Sequence, residues 1–237
     1  MKALILGDVH CDWIALNITV ARALKECPDI THIIQVGDFG YAWPQQKPFK
    51  FSKAYIDDPE LELLKDISCH WLDGNHENFN VLDADGGDSQ PGWIYQPRGS
   101  VLEIEEYRLL FCGGASSIDK QHRVEGKSWW PQEHITYGQI QRILDNVSGP
   151  IDAVFSHEHP ATIPYSEKRY GNSQFGISDR MLLDQLLAIY KPRLWFFGHH
   201  HAYDAGIVKN TEWHCCPIIE CLKYLIWDGG LSPIYYG

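Results

Sequence analysis

The stretch Ala3-Leu4-Ile5-Leu6-Gly7-Asp8-Val9-His10 passes from an apolar run into a glycine and then into two side chains able to hold a proton or a cation. A short apolar run bounded by Gly fits a strand buried on both faces. The pattern recurs along the chain. His32 to Val36 leads into Gly37-Asp38-Phe39-Gly40, and Ser68 to Leu72 leads into Asp73-Gly74-Asn75-His76-Glu77. Asp152 to Phe155 runs into Ser156-His157-Glu158-His159-Pro160, and Arg193 to Phe197 into Gly198-His199-His200-His201. Each predicts a strand whose carboxyl end delivers a polar loop.

Between these runs the apolar spacing turns helical. Trp13, Leu16, Val20 and Leu24 follow a cap at Asp12; Leu61 and Leu64 come next, then Ile140, Ile143 and Val147, then Leu182, Leu183, Leu186 and Leu187 after Ser178. Strands alternating with helices predict α/β layers, in which ligands gather outside the carboxyl ends of the strands. Val101 to Cys112 reads as a hairpin, and Tyr203 to Val208, Thr211 to Ile219 and Leu222 to Trp227 read as closing strands. A second, more antiparallel sheet is therefore expected. With no low-complexity linker and no internal repeat, residues 1–237 are expected to form a single domain.

The 237 residues carry 31 acidic against 20 basic side chains, a formal charge of -11, with 44% hydrophobic residues. That composition excludes disorder and coiled coil and allows a sizeable core. It also repels phosphate backbones, so stable binding to long nucleic acid is not expected. No apolar run approaches the roughly 18 residues of a membrane span. The first apolar stretch is too short for a signal peptide and stops at an acid, which predicts a cytoplasmic protein. Seven scattered cysteines predict buried reduced thiols rather than a disulfide framework. His214, Cys215, Cys216 and Cys221 do not make a structural zinc site, because adjacent cysteines on a strand face opposite ways.

Asp8 and His10, two residues apart in what should be extended chain, fall on the same side and can grip one ion. His199 and His201 share that spacing, so both can point into a site while His200 faces away, or one can reach a neighbouring ion. Asp38 has two oxygens and can bridge two cations, Asn75 offers an amide oxygen, and His157 offers another imidazole. Such nitrogen and oxygen donors suit manganese, iron, zinc, cobalt or nickel and fit calcium poorly.

Taken in order, Asp8-x-His10, Gly37-Asp38, Gly74-Asn75-His76-Glu77, Ser156-His157 and Gly198-His199-x-His201 resemble the five blocks of the calcineurin-like metallophosphoesterases. The resemblance implies a four-layer α/β/β/α sandwich of two mixed sheets flanked by helices, with a dinuclear metal site at the strand carboxyl ends. It implies one ion on Asp8, His10, Asp38 and His201, and a second on Asp38, Asn75, His157 and His199. Asp38 would be the bridge. Two divalent ions are expected, manganese first, with iron, zinc, nickel or cobalt as alternatives. The family reaction attacks phosphorus with a metal-bridging hydroxide, and His76 is placed to protonate the leaving group; its other reading is a hydrogen bond to phosphate.

Within the family, phosphoprotein phosphatases follow the bridging Asp with Val-Asp-Arg-Gly. Here Phe39-Gly40-Tyr41-Ala42-Trp43 stands instead, so the Arg that binds a phosphate dianion is missing. Tyr41 resembles in position the iron ligand of purple acid phosphatases, yet His10 already fills that shell, so Tyr41 is expected on the pocket wall as a substrate contact. The segment Gly113 to Arg123, continuing to Glu133, looks like a stretch of small bacterial and phage members, with Arg123 available to a phosphate oxygen and Trp129 and Trp130 sealing the core. Residues 160–176 form a long polar loop, a lid or a solvated surface. The expected activity is a phosphodiesterase acting on small diesters such as cyclic nucleotides. The alternative is a phosphomonoesterase or nucleotide pyrophosphatase on the same metals, and a noncatalytic binding subunit ranks last. The expected partner is a small phosphodiester or nucleotide substrate, no membrane partner is expected, and the oligomeric state is not specified.

Overall fold

A computed structural model of the chain describes residues 1–43, 66–88, 92–170, 174–230 and 232–237. Strands β1 (Ala3–Leu6), β2 (His32–Gln35) and β3 (Ser68–Trp71) lie parallel, with Leu6 beside Gln35 and Gln35 beside Trp71. β4 (Ile94–Tyr95) adds to β3 in parallel. The second sheet starts with the hairpin β5 (Val101–Ile104) and β6 (Tyr107–Cys112), then β7 (Ala153–Ser156), β8 (Leu194–Phe197) and the pair β9 (Asp204–Val208) and β10 (Thr211–Cys215). Its order is β5-β6-β7-β8-β10-β9, and its inner pairs are parallel, so it is less antiparallel than the sequence suggests. β11 (Tyr224–Trp227) leaves that sheet and pairs antiparallel with β1, and β12 (Ile234–Tyr236) follows it.

Alternation along the strands sorts side chains into layers. Ala3, Ile5 and Ile34 meet Leu109, Phe111, Phe155 and Phe196 in a core between the sheets. Leu4, Leu6, Ile33 and Trp71 face the other way, onto Leu16, Val20 and Leu24 of α1 (Trp13–Glu26) and onto Phe79 and Leu82 of α2 (Phe79–Asp85). On the opposite outer face Leu110, Val154, Trp195 and Phe197 pack against α3 (Tyr137–Asn146), α4 (Tyr165–Tyr170) and α5 (Ile177–Tyr190). Each such side chain contributes roughly 1.5–3 kcal/mol by leaving water. The result is the expected α/β/β/α sandwich.

Local chemistry sets the helix ends. Asp12 caps α1, its Oδ1 accepting from Ala15 N at 2.9 Å, as the sequence predicts. Thr136 and Gln139 form a reciprocal capping box on α3. α5 starts at Ile177 behind Gly176 in the left-handed region, so Ser178 is inside the helix rather than its cap. Residues 160–176 contain α4, which a reading as loop alone did not anticipate. The helix expected around Leu61 and Leu64 lies outside the described residues. Among the described residues no helix is long and apolar enough to cross a membrane. The cysteines are unpaired; Cys69, Cys112, Cys215 and Cys216 are buried, whereas Cys221 is exposed.

Candidate metal centre

The loops after β1, β2, β3, β7 and β8 converge where the two sheets face each other. Buried Gln35 ties two of them together: its Nε2 donates to the carbonyls of Gly7 and Gly37, and its Oε1 accepts from Gly37 N. Glu77 ties a third, accepting from Phe39 N at 2.8 Å, Gly40 N at 3.0 Å, Tyr41 N at 2.6 Å and Gly74 N at 3.3 Å. Burial and nearby Asp38 push the Glu77 carboxyl well up, and the backbone N–H groups of Tyr41 and Phe39 pull against them. Gly74 must be glycine, because a Cβ there would run into Asp38 Oδ1 and the Asp38 backbone.

His10, Asp38, His199 and His201 have φ of +46°, +54°, +65° and +57°. The extended geometry expected for Asp8-x-His10 and His199-x-His201 is therefore absent; left-handed turns aim these side chains instead. Such backbone is costly for residues other than Gly and persists where surrounding bonds fix it. Here Asp38 O accepts from both Val9 N at 2.9 Å and His10 N at 2.8 Å.

The donors fall into two groups. Asp8, His10, Asp38 and His201 have ligand atoms within 4.8 Å of one another, as do Asp38, His157 and His199. In the first, His10 Nε2 lies 3.0 Å from His201 Nε2, and His201 Nε2 lies 3.1 Å from Asp8 Oδ2. In the second, His157 Nε2 lies 3.2 Å from Asp38 Oδ1. Asp38 belongs to both, which is the geometry of a bridge. Its Oδ1 also accepts from Asn75 N at 2.7 Å and His76 N at 2.8 Å, holding the third loop against it.

Orphaned atoms test whether cations fit. Among the described residues the buried Asp8 Oδ2, Asn75 Oδ1 and His157 Nε2 make no hydrogen bond. His157 Nδ1 donates to Val36 O at 2.8 Å, which orients the ring and leaves Nε2 facing Asp38. Buried oxygen and nitrogen donors without partners cost free energy, and a cation in each group would relieve it, one taking Asp8 and the other Asn75 and His157. Burial pushes the Asp38 carboxyl up, but His157, His76 and His10 override it and hold it well below the usual range. Burial lowers the His157 pKa, yet Asp38 and Asp8 lift it to about 10. Metal binding must therefore displace a proton there, and affinity should weaken as the pH is lowered, which a metal titration repeated across pH would show.

His76 lies beside this cluster, its ring 4.6 Å from that of His10. Arg123 Nη2 donates to His76 Nε2 at 2.7 Å, and Arg123 Nε contacts Asp119 at 2.7 Å. Burial pushes His76 down to about 4 despite Asp38. The Gly113 to Arg123 segment thus reaches the cluster and sets Arg123 against His76. Trp129 and Trp130 are buried, in keeping with a sealing role.

Tyr41 does not line the pocket. It is 1% exposed, stacks on Trp71 and donates its hydroxyl to Asp85 Oδ2 at 2.6 Å, in a loop turned by positive φ at Asp38, Gly40 and Ala42. Iron-loaded protein should then lack a tyrosinate-to-iron charge-transfer band; a visible band abolished by Tyr41→Phe would overturn this placement. Trp43, which the sequence reading left unassigned, lies over His76 at 5.2 Å and lines a cavity of about 190 Å³ with His10, Cys11, Gly40 and His76. Burial raises the Cys11 thiol to about 12, so it is no nucleophile.

Glu158, His159 and His200 form a further group of possible donors. Their nitrogens are engaged, His159 with Pro160 O and Ser166 Oγ at 2.7 Å each, and His200 Nε2 with Glu158 Oε1 at 3.0 Å. His200 accordingly turns from the first two groups, as expected.

Comparisons place these features among known proteins. A profile of the calcineurin-like phosphoesterases matches residues 1–203. A lariat debranching enzyme of Schizosaccharomyces pombe is 25% identical over 189 residues, covering 68% of this chain and 39% of that protein. The chain thus spans about two fifths of that relative's length. Among solved structures, the TT1561 protein of Thermus thermophilus matches 100% of this chain and 98% of its own at 10% identity, TM-score 0.57. A putative 5'-nucleotidase of Staphylococcus aureus matches 100% of this chain and 52% of its own at 12% identity, TM-score 0.54. These two likenesses concern fold alone.

Proposed function

The chain belongs to the calcineurin-like phosphoesterases, and on that premise we propose that it is a metal-dependent phosphodiesterase acting on small diesters such as cyclic nucleotides. The observation that carries this reading is the pair of donor groups sharing Asp38, with unpartnered buried atoms on Asp8 in one, on His157 in the other, and on Asn75, whose backbone N–H bonds Asp38. Asp8, His10, Asp38 and His201 would hold one divalent ion, and Asp38, Asn75, His157 and His199 the other, manganese being the first candidate. Bound there, the ions supply Lewis acidity toward phosphoryl oxygens and acidify water toward a pKa of about 7.

The protein's own side chains do the rest. Arg123 donates to a phosphoryl oxygen, and Asp119 at 2.7 Å offsets part of its charge, which favours a monoanionic diester over a dianionic monoester. Trp43 walls the cavity beside the reacting phosphate. Net charge -11 disfavours a long polyanion, so we do not carry over the lariat of the Schizosaccharomyces relative. The test reloads metal-free protein with Mn, Zn, Ni or Fe and compares an aryl monoester, an aryl diester and both 2',3'- and 3',5'-cyclic nucleotides. A monoester rate exceeding every diester rate overturns the preference.

In this reading a bound phosphate anion draws Arg123 off His76 Nε2 and favours the charged ring, so that His76 takes up a proton there and passes it to the departing oxygen. His76→Ala should therefore slow diesters with poor leaving groups by about 10²-fold or more, the usual scale of general-acid catalysis, and aryl esters much less. Metal content should hardly change. An equal loss across a series graded by leaving-group pKa would make His76 a phosphate binder only.

A further inference from the structure

An amide has an oxygen end that can ligate a cation and a nitrogen end that cannot, so something must choose which end of Asn75 faces the ions. Asn75 Nδ2 lies 3.1 Å from Ser117 Oγ, and Ser117 Oγ lies 2.7 Å from Glu133 Oε2. Ser117 also donates its backbone N–H to Glu133 Oε1 at 2.8 Å. Asn75 and Ser117 are each 3% exposed and Glu133 is 0% exposed, so water does not compete. A hydroxyl has one proton to give, and an ionised carboxylate only accepts. The Ser117 proton therefore goes to Glu133, and the Ser117 lone pair takes an N–H of Asn75. That order of donors leaves Asn75 Oδ1 as the end without a hydrogen bond.

We propose that Ser117 and Glu133 are positioning residues that lock the Asn75 amide with its oxygen toward the second ion, an inference that rests on Asn75 being a ligand of that ion. The chain of donors has a direction, and an isosteric change reverses it. In Glu133→Gln the amide oxygen would keep the Ser117 N–H, and the new NH₂ would donate to Ser117 Oγ. Ser117 Oγ could still accept from Asn75 as well, but its buried proton would then have no acceptor, so the favoured arrangement gives that proton to Asn75 Oδ1 and turns the Asn75 NH₂ to the cation. Ser117→Ala removes the lock without reversing it.

Calorimetric titration of metal-free protein with Mn²⁺, with ions per chain counted by elemental analysis, tests this. Glu133→Gln should weaken the second site by roughly 10–100-fold, the usual effect of losing an outer-shell partner, and spare the first. Ser117→Ala should weaken it less. In the double variant Asn75 is released from the reversed bond, so the second site should recover relative to Glu133→Gln alone. A merely structural Glu133 predicts no such recovery, and a double variant as weak as Glu133→Gln overturns the inference. Should Glu133→Gln fail to fold, wild-type affinity in Ser117→Ala overturns it. Asn75→Ala separates the two readings. If it keeps both ions at full affinity, the ligand role of Asn75 is wrong; if it loses the second ion while Glu133→Gln keeps it, only the positioning role is wrong.

Discussion

Asp38→Asn is expected to lose both ions and to slow hydrolysis by about 10³-fold or more, since metal stabilisation of phosphoryl charge is worth several kcal/mol and each 1.4 kcal/mol is tenfold. Asn is the informative replacement. Its oxygen can still accept from Asn75 N and His76 N, the bonds that hold the third loop at 2.7 and 2.8 Å, so the fold persists. What disappears is the second anionic oxygen, the one 3.6 Å from His10 Nε2 on the side of the first group. The remaining NH₂ would point hydrogens at a cation. His157, whose raised pKa depends chiefly on Asp38, should then titrate lower. Elemental analysis and the NMR titration of His157 would check both halves. One tightly held ion per chain in Asp38→Asn, or in fully active wild-type protein, contradicts the shared-carboxylate centre.

The parallel strands were legible because each is buried on both faces and reads as an apolar run, and the donors were legible because each run stops at Gly, Ser or Asp. β4 and β12 were not, being edge strands of two and three residues that are too short for any period to register. The Asp8-x-His10 and His199-x-His201 spacings pointed to residues that the structure gathers into two donor groups, but through left-handed turns in place of the extended chain expected. Extended chain and left-handed turns both bring such pairs together, and sequence does not separate them. Tyr41 turned inward and Trp43 came to the cavity for the same reason: positive φ at Asp38, Gly40 and Ala42 sets which residues of that loop face inward, and sequence does not report them. Ser117 and Glu133 left no signal at all, since a buried serine and glutamate in a polar segment look like surface residues until Asn75 is seen beside them. Their contact spans 42 residues from Asn75 to Ser117, so only tertiary structure reports it.

Arg98→Ala should destabilise the fold by about 3–5 kcal/mol, because it strands a buried carboxylate. Asp73 is 0% exposed, and Arg98 meets its Oδ2 through Nε at 2.9 Å and Nη2 at 2.6 Å. The same guanidinium donates to His134 O at 2.7 Å, Gln132 O at 2.8 Å and Glu133 O at 3.1 Å, while Tyr95 donates to Asp73 Oδ1 at 2.8 Å. Arg98 therefore joins the loop after β3 to the segment that carries Glu133. For a chain of this size the loss corresponds to a fall in Tm of roughly 10 °C, at 2–4 °C per kcal/mol. Replacing both partners, Asp73→Leu with Arg98→Met, should recover much of it, since a buried pair exchanged for apolar groups of similar volume is often neutral. A cost below about 1 kcal/mol for Arg98→Ala would mean that water reaches Asp73 and that the pair is not a buried one. Asp73 immediately precedes Gly74 and Asn75, so slackening it should also loosen the Asn75 lock. Below its lowered Tm, the variant should hold the second ion more weakly than the first. Equal retention of both would confine Arg98 to stability and leave the orientation of Asn75 to Ser117 and Glu133 alone.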